Sequence, residues 1–268
     1  MSANGYMLRC VLCAGMIFGL PFFNFSTAQD SVLRVEIPNG PMVEMVYVEG
    51  GTFTMGSNDA KGVANHYEST RPEHEVAVGA FYIGRYEVTQ ALWTAVMGEN
   101  PSFFRGSTQL PVENISWTQA QEFCMLLSQL TGKRFRLPTE AEWEFAARAG
   151  SDFAFAGCNR NGLDSCAWYC VNSESRTHPV GSRASNALGL YDMSGNVAEW
   201  CADWMGPYTE VRQSDPHGPQ TGDSRIVRGG HYYSTSSSCA VFDRGWYVPT
   251  GKTEYYGLRL VMEVENGD

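Results

Sequence analysis

Basic residues are scarce in this 268-residue chain: 19 Lys and Arg stand against 29 Asp and Glu, a formal net charge of −10. A surface of that sign repels phosphate backbones and excludes nucleic acid as a partner. Histidine is scarcer still. Five are scattered along the chain, with His178 and His217 beside proline, and they offer no Ser, His and Asp triad. Beyond the first 28 residues there is no Cys-x-x-Cys pair and no apolar run long enough to span a bilayer, which argues against a zinc knuckle and a second membrane segment.

What is present begins with a leader. Arg9 precedes an apolar run from Cys10 to Phe23, and the segment closes on Ser26-Thr27-Ala28, the small-x-small pattern of a cleavage site. Residues 1–28 therefore read as a removable signal peptide. They imply an exported protein, secreted, periplasmic or at the cell surface, with no membrane span once the signal is gone. A segment over 29–41, one domain over 42–264 and a tail over 265–268 follow. That domain is long enough for a sizeable core.

Six cysteines survive signal removal: Cys124, Cys158, Cys166, Cys170, Cys201 and Cys239. An even number in an oxidising compartment points to disulfides, and the sequence leaves their pairing open. Zinc at Cys158, Cys166 and Cys170 is the alternative, disfavoured because no histidine stands beside them.

Periodicity predicts few elements. Met42–Tyr47 and Phe53–Met55 read as a strand pair around Gly50-Gly51, and Glu75–Ile83 as a further strand. A helix is expected over 89–97, stopped by Gly98. A second over 118–130 carries Ala120, Phe123, Cys124, Leu127 and Leu130 as its apolar stripe. A third starts at Thr139, whose hydroxyl with Glu142 makes a capping box; Glu140 and Glu144 then serve cap and macrodipole ahead of acid-base chemistry. Residues 150–186 and 205–222 have the composition of irregular loops.

Five segments, in order, carry a resemblance: Gly50-Gly51-Thr52-Phe53-Thr54-Met55-Gly56, Phe81-Tyr82-Ile83-Gly84-Arg85-Tyr86-Glu87-Val88-Thr89, Arg136-Leu137-Pro138-Thr139-Glu140-Ala141-Glu142-Trp143, Gly189 to Trp200, and Gly257-Leu258-Arg259-Leu260. Together they resemble the formylglycine-generating enzyme (sulfatase-modifying factor) family. The resemblance implies an α+β fold, the family's variant of the C-type lectin fold, with little regular secondary structure. It also implies a calcium ion held by the side chains of Asp192 and Glu199 and the carbonyls of Gly195 and Val197.

In the family's enzymes, two cysteines at the fourth and ninth positions after an Arg-Gly-Gly hold copper(I) and oxidise a substrate cysteine to formylglycine. Here, those positions after Arg228-Gly229-Gly230 are Ser234 and Cys239. A serine hydroxyl is a hard and poor ligand for a soft ion, so copper is not expected and the oxidase reading rests on Cys239 alone. Cys239 reads as a buried or disulfide-bonded structural cysteine, or else as a reactive thiol if exposed with a lowered pKa. Arg228 and Arg259 read as structural clamps on carboxylates and carbonyls.

The segment from His231 to Tyr256 is rich in Tyr, Ser, Thr and Gly, the composition of a binding surface. Its candidate contact residues are His231, Tyr232, Tyr233, Ser234, Asp243, Trp246 and Tyr247. Residues 228–259 also resemble the variable region of diversity-generating-retroelement proteins. The expected function is a module that binds a protein or surface ligand without chemistry. The alternatives are the cysteine oxidase and a structural envelope protein.

Overall fold

The computed structural model describes residues 32–59, 66–159 and 161–264. The expected signal peptide (1–28) and tail (265–268) lie outside the described residues. Among the described residues, twelve short strands and four α-helices run in the order β1 (Val32–Val35), β2 (Val43–Val48), β3 (Gly51–Met55), β4 (His74–Val78), β5 (Phe81–Gly84), α1 (Gln90–Met97), α2 (Trp117–Thr131), β6 (Phe135–Arg136), α3 (Glu140–Arg148), α4 (Leu163–Cys166), β7 (Ala198–Trp204), β8 (Gln213–Ser214), β9 (Arg225–Arg228), β10 (Gly245–Tyr247), β11 (Tyr256–Gly257) and β12 (Val261–Glu263). Much of the rest is turn and loop, as the resemblance implied.

Three sheets result, ordered β1-β2-β5-β12-β6, β10-β9-β7-β11 and β3-β4-β8. The pairing corrects two expectations. β2 and β3 do not pair across Gly50-Gly51: β2 lies antiparallel between β1 and β5, whereas β3 pairs with β4. The single strand expected over 75–83 is two strands in different sheets, broken at Gly79-Ala80. The segment 29–41, expected to precede the domain, contributes β1 to the first sheet.

Alternation along the strands divides the core. Val43 and Met45 of β2 pack into one buried cluster with Trp93, Phe123 and Leu127, while Val46 and Val48 join the other with Ile83, Trp143 and Phe242. Both faces of the sheet are thus covered. The helices start where the side chains predict. Thr89 Oγ1 accepts from Leu92 N, and Ser116–Gln119 and Thr139–Glu142 each form a reciprocal capping box. α1 and α2 end on left-handed glycines, Gly98 and Gly132. Trp93 stacks on Phe123 at 5.0 Å, fixing α1 against α2.

Candidate functional site

β9 delivers Arg228 into the interior, where its guanidinium meets Glu140 and Glu144, one turn apart on α3, and the carbonyl of Val241. Arg244 forks the same Glu140, with bonds of 2.7 and 2.8 Å. Arg259 clamps Glu199 in turn and donates to the carbonyls of Gly84 and Tyr191. All three arginines are buried. They tie strands to helix and loops, which is the clamping role read from the sequence for Arg228 and Arg259.

After Arg228 the chain turns through Gly229 and Gly230, both at positive φ. A side chain at Gly230 would place its Cβ 2.6 Å from Ser238 O and 3.0 Å from Cys239 Sγ, so only glycine lets the single-turn 3-10 helix Ser236–Cys239 settle there. Cys239 consequently sits at 0 % exposure, and burial pushes its thiol far above the ordinary cysteine range. Ser234 Oγ accepts from the His231 N–H at 3.0 Å, closing a local turn. Cys170 is exposed, and its N–H donates to Ser234 O at 3.0 Å. Cys158 and Cys166 form a disulfide; Cys124, Cys170, Cys201 and Cys239 are free.

The seven candidate contact residues are not equally available. Tyr233 is 59 % exposed and Trp246 and Tyr247 are each 39 % exposed, whereas Tyr232, Ser234 and Asp243 are buried. Asp243 is occupied by His66: it accepts from the His66 N–H at 2.8 Å, and its other oxygen is 3.4 Å from Nδ1. The Asp243 carboxylate beside the imidazole raises the His66 pKa, and the His66 ring lies 4.9 Å from Trp246. The expectation that Tyr232, Ser234 and Asp243 face a ligand is therefore corrected. They are enclosed within the stretch that carries Tyr233 on a turn and Trp246 and Tyr247 on β10.

The surface extends to residues the sequence reading passed over. Phe104 packs edge-on against Tyr232 at 5.1 Å, Tyr255 stacks on His231 at 4.4 Å, and Phe103 is 68 % exposed beside Phe104. The 103–104 loop hangs on buried Glu113, whose two oxygens accept from the N–H groups of Phe103 and Phe104. Burial raises the Glu113 pKa to about 7 and lowers that of His231 to about 4, leaving the imidazole neutral at physiological pH. The adjacent aromatics Phe103-Phe104 after Asn100-Pro101 were the signal available in the sequence.

In the candidate calcium turn, Asp192, Gly195 and Asn196 all adopt positive φ. A Cβ on Gly195 would lie 2.2 Å from Trp168 O, so this turn requires glycine. Asp192 is buried; its Oδ2 accepts from the Gly181 N–H at 2.7 Å, and its Oδ1 has no hydrogen-bond partner. Glu199 is not the open donor expected. Both of its oxygens accept from Arg259, and Oε2 also accepts from Trp143 Nε1 at 2.6 Å. Glu87 stands close by, accepting from Asn196 Nδ2 and Val197 N. Burial first, and then the charges of Asp192 and Glu199, push Glu87 well above the carboxylate range; burial also raises Asp192 to about 6. Three buried carboxylates share one guanidinium here, and the orphaned Asp192 Oδ1 fits a hard cation. Among the described residues no three acidic, histidine or cysteine side chains converge on one point as a ligand set.

A separate cavity of about 330 Å³ opens between β7 and the 206–219 loop, lined by His74, Glu140, Asp203, Tyr208 and Arg244. Apart from Arg244 it lies outside the 231–256 segment.

The buried arginine clamps, the glycine turn and the loop-rich frame define a sulfatase-modifying-factor module. Residues 33–264 match the family described as the sulfatase-modifying factor enzyme 1-like domain, and the chain belongs to it. It is similar to a protein of Paenibacillus barcinonensis called chaperone protein LppX, with 31 % identity over 81 % of this chain and 89 % of that protein. It is 38 % identical to the formylglycine-generating enzyme of Streptomyces coelicolor over 60 % of this chain, and spans 55 % of that enzyme's length. The solved structure of Treponema denticola variable protein 1 superposes with a TM-score of 0.81 at 33 % identity, covering 87 % of this chain and 99 % of that one.

Proposed function

We propose that this chain is a binding module that grips a protein or other surface ligand through the aromatic face of residues 231–256, extended by Phe103 and Phe104, and that it performs no copper-dependent oxidation. One observation carries the second half: at the two positions where the enzymes place copper-holding cysteines, this chain has a serine folded into its own turn and a thiol with no exposure. Copper(I) would find neither two thiolates nor a path to the one present. The likeness to a variable protein supports the first half, together with exposed Tyr233 on its turn and exposed Trp246 and Tyr247 on β10, which pairs with β9.

Anaerobic copper(I) titration separates the readings. Stoichiometric tight binding with oxygen uptake on a cysteine peptide would restore the oxidase; no binding is expected. For the face, a Tyr233→Ala and Trp246→Ala double variant is expected to fold as the parent does and to lose capture of cell-surface proteins. Retained capture would count against the module.

A calcium ion at the Asp192–Glu199 turn is part of this reading. It would be held by Asp192 Oδ1, the carbonyls of Gly195 and Val197, and Glu199 shared with Arg259. Its role there is structural: it offsets the surplus of buried negative charge.

A further inference from the structure

Among the described residues, arginine is almost always answered. Ten arginines among the described residues lie within 4 Å of a carboxylate. Two more lie over tryptophan rings, Arg183 at 3.6 Å from Trp168 and Arg225 at 3.5 Å from Trp204. Only Arg105 and Arg176 have neither a carboxylate nor a ring among the described residues, and both line one cavity of about 290 Å³. Arg105 makes a single bond, to Asn100 O at 2.7 Å. In an acidic chain, two guanidiniums at one hollow with no carboxylate in ion-pair contact are open to an anion from outside, Arg105 acting only at a distance on buried Glu113.

The hollow is otherwise built. Thr177 lines it at 1 % exposure, and its hydroxyl is buried with no hydrogen-bond partner, a group that normally costs stability unless a partner arrives. The backbone beside it is fixed: the His178 N–H donates to Asn196 Oδ1 at 2.9 Å and the His178 ring stacks on Trp168 at 3.7 Å. Buried Leu110 forms part of the lining, and exposed Glu174 also borders the cavity without pairing with either arginine.

We propose that the cavity between Arg105 and Arg176 is a binding site for an oxyanion, a carboxylate or phosphoryl group held by the two guanidiniums and the Thr177 hydroxyl. Planar guanidinium forks match such groups better than any other side chain, through paired charge-assisted hydrogen bonds. The site goes beyond the aromatic-face reading and does not depend on it, although Phe104, next to Arg105, joins the two surfaces.

The test is titration of the full chain with succinate and with inorganic phosphate, each at ionic strength held constant with chloride, followed by amide and arginine Nε–H NMR shifts. At least one of the two is expected to bind with a Kd below ~1 mM, and the preferred one names the group. Arg105→Gln and Arg176→Gln, both at exposed side chains, are each expected to weaken binding about tenfold or more. Thr177→Val weakens it less, while Tyr233→Ala leaves it unchanged and so separates this site from the aromatic face. Shifts no larger than those of chloride, or an Arg176→Gln variant that binds as the parent does, would overturn the proposal.

Discussion

Arg228 has no exposure and faces two carboxylates of one helix, Glu140 and Glu144. Replacing it with alanine leaves both acids buried against too few cations, and the expected loss is about 3–5 kcal/mol in urea unfolding. His231 gives a pH signature. Burial holds its folded pKa near 4, below the unfolded value of 6.5, so the folded state refuses a proton that the unfolded state accepts. Its contribution is present above pH 6.5 and is lost as pH falls toward 4, amounting to at most about 3 kcal/mol. A His231→Gln variant should show a shallower fall in stability than the parent over that window in paired urea melts. The substitution of serine at 234 was legible in the sequence, because position relative to Gly230 sufficed. The burial of Tyr232 and Asp243 was not, since it depends on His66 and Phe104, distant in the chain.

Helices with caps could be read locally: Thr89, Ser116 and Thr139 act within four residues of the helix they start. Strand pairing could not, because Gly50-Gly51 marks a change of sheet rather than a hairpin. The 103–104 loop escaped the sequence for the same reason. Its anchor, Glu113, lies beyond it and gives no periodic signal. Glu113→Ala should leave two backbone N–H groups unanswered and destabilise the fold by about 2–6 kcal/mol, at roughly 1–3 kcal/mol for each group. Chemical denaturation measures the loss. Faster hydrogen exchange at Phe103 and Phe104 than in the parent would place it in that loop.

Over the whole molecule, the five ordered motifs identified the family, whereas the charge balance inside it had to be seen in three dimensions. Glu87 reaches the Asp192–Glu199 turn from a separate segment, and Arg259, bonded to Glu199, is the cation whose charge the three acids share. Calcium at millimolar concentration is expected to raise the melting temperature of the chelator-stripped protein by several degrees. The rise should vanish in Asp192→Ala while magnesium gives less, as a roomy oxygen site would require. An equal shift in the variant, measured by scanning calorimetry, would remove calcium from this turn.

The stretch carrying the aromatic face runs between Arg228 and Arg259, both fully enclosed and both doubly tethered, and is pinned midway by buried Phe242 and Arg244. With the stretch pinned at both ends and in its middle, substitutions at outward positions such as Tyr233 and Trp246 should cost the fold under about 0.5 kcal/mol. Under the proposed binding role, new side chains at those outward positions would change what is gripped and leave the enclosed arginines untouched.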